Sequence, residues 1–154
     1  MKFLQIGLGS MGKRRIRNLF HLGEKNITGF DIRDDRRAEV TNLYGIKTVS
    51  SLEKLEWNQF SHVIISTPPD LHAHYAIIAA KLEKNIFIEA SVIDEDLDAL
   101  EKLANKNFVI SPSCTMRFDP IVAKAKEIID SGALGKLIFA NHYFGQYLPD
   151  WHPY

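Results

Sequence analysis

Short apolar runs alternate with segments of helical periodicity over the first 110 residues of this 154-residue chain. Each run is a few residues long and is bounded by polar or turn-forming residues, which predicts strands. The segments between them repeat apolar residues at helical spacing, as in Leu71, Tyr75, Ile78 and Leu82. This alternation predicts an α/β fold with a doubly wound parallel sheet. The six predicted strands cover residues 2–6, 26–32, 46–49, 62–65, 86–88 and 108–110.

Capping residues predict where several helices begin and end. Asp34 and Gly45 are interpreted as the N-cap and C-cap of the second helix, and Asp70 as the N-cap of the third. Another helix is expected to begin at Asp94. Asp119 followed by proline is a strong helix start, and a last strand is predicted over residues 137–144.

Three glycines lie between the first predicted strand and the first helix. Gly7, Gly9 and Gly12 form a G-x-G-x-x-G pattern at a strand-to-helix turn, the context that dinucleotide binding requires. Gly7 permits the sharp turn, Gly9 lets a pyrophosphate approach the main chain, and Gly12 lets the helix pack on its strand. The N–H groups and the dipole at the helix start then favour an anion.

Asp31 strengthens the dinucleotide interpretation. It lies near the C-terminal end of the second predicted strand, about 20 residues after Gly12, where a carboxylate holds the adenosine ribose. The alternative is that Asp31 only caps the following helix, although Asp34 is better placed for that role. An S-adenosylmethionine site is a further alternative, and Gly12 argues against it because close packing at the third glycine is a dinucleotide feature.

In a doubly wound sheet, ligands bind where the strand order reverses, beyond the carboxyl ends of the strands. The glycine loop is therefore expected to face the segment Ser66 to Pro69 after the fourth strand, and Ser66, Thr67 and Pro68 are its candidate contacts. The same edge is expected to carry Glu89 and the segment 115–117. The alternative for 67–69 is a strand terminator without ligand contact, since consecutive prolines prevent further pairing.

Composition excludes several function classes. The 19 basic and 19 acidic residues balance, so no electrostatic footprint for nucleic acid is expected. The basic run at 13–17 is interpreted as a solvated helix face. A hydrophobic fraction of 45% without a long apolar stretch predicts neither a membrane protein nor a secreted one, and a cytoplasmic location is expected. No metal site is expected, since His72 and His74 point to different helix faces.

Four segments together resemble the Gfo/Idh/MocA oxidoreductases, the family of glucose-fructose oxidoreductase and inositol dehydrogenase. They are Ile-Gly-Leu-Gly-Ser-Met-Gly at 6–12, Ser-Thr-Pro-Pro-Asp-Leu-His at 66–72, Arg-Phe-Asp-Pro at 117–120, and Gly-Lys at 135–136. The resemblance implies a dinucleotide-binding Rossmann domain over residues 1–118, a connecting helix and turn over 119–136, and the first strand and loop of an incomplete second α/β domain over 137–154.

The resemblance also implies NAD(P)-dependent chemistry on a sugar, cyclitol or sugar-nucleotide derivative by a homo-oligomeric protein. NAD is favoured because Asp31 would repel a 2′-phosphate, and NADP remains open because Arg33, Arg36 and Arg37 could offset that repulsion. The implied cofactor contacts are Gly7, Leu8, Gly9, Ser10, Met11, Gly12, Asp31, Ile32, Arg33, Ser66, Thr67, Pro68, His72, Glu89, Ala90 and Arg117.

One position departs from the family pattern. Members usually read Glu-Lys-Pro after the fifth strand, whereas this chain reads Glu-Ala-Ser at 89–91. The alanine methyl of Ala90 cannot relay a proton, so no catalytic residue is assigned. Two hypotheses follow: the cofactor domain of a dehydrogenase that is inactive as this fragment, or a regulatory nucleotide-binding homologue that has lost the chemistry.

Overall fold

A six-stranded parallel sheet organises the first part of the chain, in the order β3-β2-β1-β4-β5-β6. The computed structural model describes residues 1–53, 55–90, 96–143 and 145. The strands are β1 Phe3–Ile6, β2 Ile27–Phe30, β3 Lys47–Val49, β4 His62–Ile65, β5 Asn85–Ile88 and β6 Ile110–Pro112. The predicted doubly wound α/β class is confirmed.

Five α-helices and three short 3₁₀ turns are found among the described residues. The helices are α1 Ser10–His21, α2 Asp34–Tyr44, α3 His72–Lys81, α4 Leu97–Leu103 and α5 Pro120–Asp130. The 3₁₀ turns cover Trp57–Gln59, Pro69–Leu71 and Thr115–Phe118. The chain divides into two compact units, Met1–Ser113 and Cys114–Tyr154.

Two of the capping predictions are confirmed. Helix α2 ends at Gly45, whose φ of 66° is the left-handed conformation that glycine favours. Helix α5 begins after Asp119, whose carboxylate accepts hydrogen bonds from the N–H groups of Ile121 at 2.8 Å and Val122 at 3.1 Å. Both caps are local in sequence, so sequence patterns are sufficient to locate them.

Two other caps are corrected. Arg33, not Asp34, is the N-cap of α2, and the Asp34 carboxylate instead pairs with Arg37 one turn later. Asp70 lies within the 3₁₀ turn that precedes α3, and it makes no capping hydrogen bond among the described residues. Asp94, the predicted start of the fourth helix, lies outside the described residues.

Two strand predictions differ from the structure. Strand β6 pairs with β5 from Ile110 to Pro112, two residues later than predicted, and its proline is tolerated because β6 is an edge strand. Residues 137–143 of the predicted strand 137–144 form no strand, since no described segment pairs with them, and residue 144 lies outside the described part. The assignment of residues 119–136 and 137–154 to a connector and a second domain stays a prediction.

Alternation along β1 divides the core between the two faces of the sheet. Leu4 and Ile6 are fully buried on one face, where α3 and α4 pack. Phe3 and the α1 residue Ile16 belong to the cluster on the other face. Because all six strands are parallel, their carboxyl ends lie at one edge, and the loops after β1, β2, β4 and β5 meet there.

Helix α1 approaches β1 so closely that position 12 has no room for a side chain. A Cβ on Gly12 would lie 1.9 Å from the carbonyl oxygen of Gly7, a backbone atom that cannot move without reshaping the loop. The same Cβ would lie 3.4 Å from the amide nitrogen of Gln5. The tight helix-to-strand packing expected of the third glycine is therefore present.

We expect Gly12→Ala to lower the free energy of unfolding by about 1 to 3 kcal/mol or more, because the added methyl overlaps backbone. Gly9→Ala is the matched control: the nearest atoms to its Cβ would be those of the Arg36 guanidinium, at 3.7 Å. Its effect should stay within about 0.5 kcal/mol. Urea unfolding midpoints of the two variants measure the difference, and equal midpoints would contradict the packing described.

Candidate functional site

The loop from Gly7 to Gly12 lies directly beside the end of β4. Gly7 has a φ of 86°, and a Cβ there would lie 2.5 Å from the carbonyl oxygen of Ser66. The N–H of Ser66 donates to the carbonyl oxygen of Ile6 at 2.8 Å, which holds the two strand ends together. The predicted juxtaposition of the glycine loop with the Ser66–Pro68 segment is confirmed.

The first turn of α1 presents backbone donors at this edge. Gly9 is the N-cap, with extended backbone angles, and no described side chain caps the helix. The first N–H groups of a helix have no partner within it, and the helix dipole adds positive potential there. Ser10 is exposed and Met11 partly exposed, so this turn is accessible from solvent. The arrangement is suited to an anion such as a phosphate.

Asp31 connects the end of β2 to the glycine loop. Its side chain is only 5% exposed. One carboxylate oxygen accepts a hydrogen bond from the N–H of Leu8 at 2.8 Å, and the other from the N–H of Arg33 at 2.9 Å. A carboxylate has about four acceptor sites, so capacity remains for ribose hydroxyls. Asp31 is not the N-cap of α2, which is Arg33; it holds the N–H of that residue and that of Leu8, and its contact with a ribose stays a prediction.

A groove of about 160 Å³ lies between the ends of β1, β2 and β4. This is below the roughly 300–1,000 Å³ of pockets that enclose a drug-sized ligand, so it suits one end of an extended molecule. Phe30 and Tyr75 form part of the wall, with ring centroids 6.0 Å apart in an edge-to-face arrangement. The lining residues are Gly7, Phe30, Asp31, Ile32, Arg33, Arg36, Ser66, Thr67, Pro68, Leu71 and Tyr75.

Burial and charge both act on Tyr75 in this groove. Burial raises the pKa of the Tyr75 hydroxyl, and the negative charge of Asp31 raises it further. The hydroxyl therefore stays protonated at neutral pH and can donate a hydrogen bond. Its apolar ring face is a suitable surface for a planar base.

His72 holds the segment after β4 but does not line the groove. It is 3% exposed at the start of α3, and its Nε2 donates a hydrogen bond to the carbonyl oxygen of Thr67 at 2.8 Å. His72 Nδ1 and Thr67 Oγ1 are buried without a partner among the described residues. His72 therefore orients the Thr67–Pro68 backbone, while its direct contact with a cofactor stays a prediction.

Glu89, at the end of β5, is bound by an arginine from α1. Arg15 Nε lies 2.6 Å and Nη2 2.8 Å from the two carboxylate oxygens, a bidentate ion pair. The side chains are only 18% and 13% exposed, and Arg15 also donates to Ser113 Oγ at 3.2 Å. This corrects the interpretation of the whole basic run as a solvated face: Arg15 points inward, whereas Arg14 and Arg17 are exposed.

The other predicted contacts differ in exposure. The side chain of Leu8, in the glycine loop, is fully buried, so only its backbone is available to a ligand, whereas Ile32 lines the groove and is 77% exposed. Ala90 follows Glu89 and is exposed, and residues 91–95 are outside the described part. Arg117 belongs to the second unit, and its role stays a prediction.

Sequence reasoning missed four side chains at this edge. Leu71 and Tyr75 have the spacing of an ordinary helix stripe, although their position just after the strand end is a usable signal. Phe30 falls inside the second predicted strand, which does not indicate that it lines a site. The Arg15–Glu89 pair joins residues 74 positions apart, so no local pattern could reveal it.

A larger cavity of about 430 Å³ lies on the α1 side of β4, β5 and β6. Its wall is mainly apolar, from residues such as Phe3, Leu19 and Ile86, and it lacks the loop amides and Asp31. It is therefore distinct from the groove.

None of the helices that the structure describes is long and apolar enough to cross a membrane. Within the same residues, no three His, Cys, Asp or Glu side chains are grouped as metal ligands would be.

Comparison with protein families matches residues 1–111 to a family described as an oxidoreductase family with an NAD-binding Rossmann fold. The chain is 33% identical over 141 residues to scyllo-inositol 2-dehydrogenase (NAD(+)) of Bacillus subtilis, covering 87% of this chain and 41% of that protein. It is 37% identical over 123 residues to levoglucosan dehydrogenase of Pseudarthrobacter phenanthrenivorans, covering 74% of this chain and 30% of the relative. The chain thus spans less than half the length of these curated relatives.

Solved structures show the same architecture. Levoglucosan dehydrogenase in complex with NADH and levoglucosan superposes with a TM-score of 0.76 at 26% identity, over 88% of this chain and 40% of that one. The WlbA dehydrogenase of Bordetella pertussis, in complex with NADH and UDP-GlcNAcA, superposes with a TM-score of 0.77 at 20% identity, over 87% of this chain and 43% of that one. At that lower identity the match supports the fold alone.

A double-mutant cycle tests the Arg15–Glu89 pair. Arg15→Met should strongly lower the free energy of unfolding, because it leaves the mostly buried Glu89 carboxylate without its cation. Adding Glu89→Gln should restore part of the lost free energy. The expected coupling energy is about 1 kcal/mol or more. The exposed pair Lys124–Glu127, at 2.6 Å, is the control and should couple by less than about 0.5 kcal/mol. Additive effects of Arg15→Met and Glu89→Gln would contradict the pairing.

Proposed function

We propose, because this chain belongs to the Gfo/Idh/MocA family of oxidoreductases, that it is the cofactor-binding part of an NAD(P)-dependent dehydrogenase of a sugar, cyclitol or sugar-nucleotide derivative. Its first 111 residues are the NAD-binding Rossmann domain of that family. The substrate class is supported by the names of the inositol and levoglucosan dehydrogenases to which the chain is similar. The cytoplasmic location and the homo-oligomeric state remain predictions.

The observation that carries this proposal is the uncapped start of α1 with Asp31 at its side. The N–H groups around Gly9 and Gly12 would hold the pyrophosphate, and Asp31 the adenosine ribose. The apolar groove beside Tyr75 would take the adenine. These residues fit a dinucleotide, since the nearest atoms to a Cβ on Gly9 would be those of the Arg36 guanidinium, at 3.7 Å, and no backbone atom is nearer.

NAD supplies a nicotinamide ring that accepts or releases a hydride. The chain's own residues do the positioning. His72 holds the Thr67–Pro68 backbone, and the Arg15–Glu89 pair fixes the adjacent end of β5. An ion pair of this kind occupies both carboxylate oxygens of Glu89, so Glu89 is a positioning residue rather than a proton acceptor in this proposal.

A second candidate function is a regulatory or non-catalytic nucleotide-binding protein. Ala90 favours it, because its methyl replaces the lysine that the family pattern places beside the reacting carbon, and a lost acid/base group typically lowers the rate by about 10² to 10⁴. A full-length protein that contains this chain separates the candidates. NADH formation with a cyclitol or sugar supports a dehydrogenase, whereas bound cofactor without turnover across the panel supports the regulatory role.

We expect the 154-residue chain to bind NADH, and Gly9→Ala to weaken binding by about tenfold or more, because its methyl blocks the pyrophosphate while the fold is retained. NADH fluorescence titration measures both dissociation constants. Arg17→Gln, on an exposed part of α1, is the control and should bind as the unmodified chain does. Equal binding by Gly9→Ala would contradict the placement of the pyrophosphate.

We also expect the 154-residue chain to bind cofactor without turning over substrate, since it spans less than half the length of its curated relatives and the substrate contacts are expected outside it. Absorbance of reduced nicotinamide is followed with NAD and a panel that includes scyllo-inositol, levoglucosan and sugar nucleotides. Reduction of NAD in the presence of any member, and not in its absence, would refute the inactivity of this fragment.

A further inference from the structure

The peptide unit between Gly7 and Leu8 is held at both ends by side chains. Its carbonyl oxygen, on Gly7, accepts a hydrogen bond from Gln5 Nε2 at 3.1 Å. Its N–H, on Leu8, donates to the carboxylate of Asp31 at 2.8 Å. Gln5 is fully buried and Asp31 is only 5% exposed, so bulk water has little access to either bond.

The side-chain amide of Gln5 lies between β1 and the start of α1. A Cβ on Gly12 would lie 3.4 Å from its nitrogen. That nitrogen donates to the carbonyl oxygens of Ile6 and Gly7, which fixes the orientation of the amide, since its oxygen in the same place would meet two acceptors. The Ile6 oxygen also accepts from the N–H of Ser66 at 2.8 Å, so the Gly7 carbonyl is the partner that depends more on Gln5.

Stability does not account for an amide at this position. Gln5 Oε1 is buried without a partner among the described residues, and burying such an atom costs free energy. A methionine would remove this unpartnered oxygen, but it would also leave the Gly7 oxygen without the Gln5 donor. Because the two effects oppose each other, the amide contributes little net stability, and its main effect is on the conformation of the loop.

The conformation in question is that of the chain after Gly7. Gly7 has a φ of 86°, and a glycine allows the next peptide unit to rotate at small steric cost. Such a rotation would turn the Leu8 N–H away from Asp31. It would also change the direction in which the chain enters Gly9, the N-cap of α1.

We propose that Gln5 is a positioning residue for cofactor binding, because it fixes the Gly7–Leu8 peptide and thereby orients the loop amides and the Asp31 carboxylate together. The inference rests on the proposed function, in which the amides around Gly9 receive the pyrophosphate and Asp31 the ribose. Gln5 does not line the groove. It acts from behind the loop, through one peptide unit that connects both groups.

The first test measures the peptide itself, without cofactor. Gln5→Met should leave the urea unfolding midpoint close to that of the unmodified chain. Amide hydrogen exchange of Leu8 should become about tenfold faster or more, while that of Leu4, in the middle of β1, should change by less than about threefold. Gln59→Met makes the same chemical change at an exposed residue and should alter neither amide.

The second test measures NADH binding by fluorescence titration. Gln5→Met should weaken binding by about tenfold or more, whereas Gln59→Met should bind as the unmodified chain does. Asp31→Ala releases the other end of the same peptide. The combined variant should lose less affinity than the product of the two single losses, because the second change acts on a peptide that is already free.

Four results would overturn the inference. Unchanged NADH affinity in folded Gln5→Met would show that the amide does not act on the site. Equal acceleration of Leu8 and Leu4 exchange would indicate general loosening of β1. Independent losses in the combined variant would separate Gln5 from Asp31. Unfolding of both Gln5→Met and Gln5→Leu would make Gln5 a purely structural residue.

Failure of the proposed function would look different. The unmodified chain would then bind no NADH, and the exchange rate of Leu8 would still show whether Gln5 holds the peptide.

Discussion

The close approach of α1 to β1 is the constraint on which the rest of the site depends. The carbonyl of Gly7 occupies the space that a side chain at position 12 would need, and Gly7 itself is packed against the Ser66 backbone. These contacts bring the start of α1 to the carboxyl edge of the sheet, between the ends of β1 and β4. The unpaired N–H groups of that first turn then face the point where the strand order reverses, which is where doubly wound sheets bind ligands.

Two carboxylates at this edge illustrate how surroundings decide the role of a residue. Asp31 and Glu89 each follow a short apolar strand, and both are mostly buried. Asp31 is held by two backbone N–H groups, which leaves acceptor capacity toward the groove. Both carboxylate oxygens of Glu89 are bound by Arg15, and this ion pair fixes the end of β5. Two acidic residues in similar sequence positions thus have different surroundings. Asp31 accepts from backbone N–H groups and has the Arg36 guanidinium 3.5 Å away, whereas Glu89 is bound at both oxygens by the Arg15 guanidinium.

Polar groups buried behind the groove serve its geometry. Gln5 is fully buried in β1 and donates to the carbonyl oxygens of Ile6 at 3.2 Å and Gly7 at 3.1 Å. His72 donates to the Thr67 carbonyl in the facing segment. The Ile6 oxygen also accepts from the N–H of Ser66, whereas the bonds to the Gly7 and Thr67 oxygens offset the cost of burying those two carbonyl groups. Both sides of the groove are therefore held by side chains that do not line it.

Local patterns in the sequence determined the alternation of strands and helices, the caps at Gly45 and Asp119, and the three glycines followed by Asp31, because each depends on residues a few positions apart. The doubly wound parallel class was predictable from the alternation, since right-handed crossovers leave few topologies. Only the tertiary structure decided that Arg15 pairs with Glu89, that Tyr75 faces Asp31, and that Arg36 rather than Arg33 lies over Gly9. The first two outcomes depend on distances between segments that are far apart in the chain. The third depends on which of several similar charged neighbours a side chain reaches. A pattern along the sequence contains no information on either point.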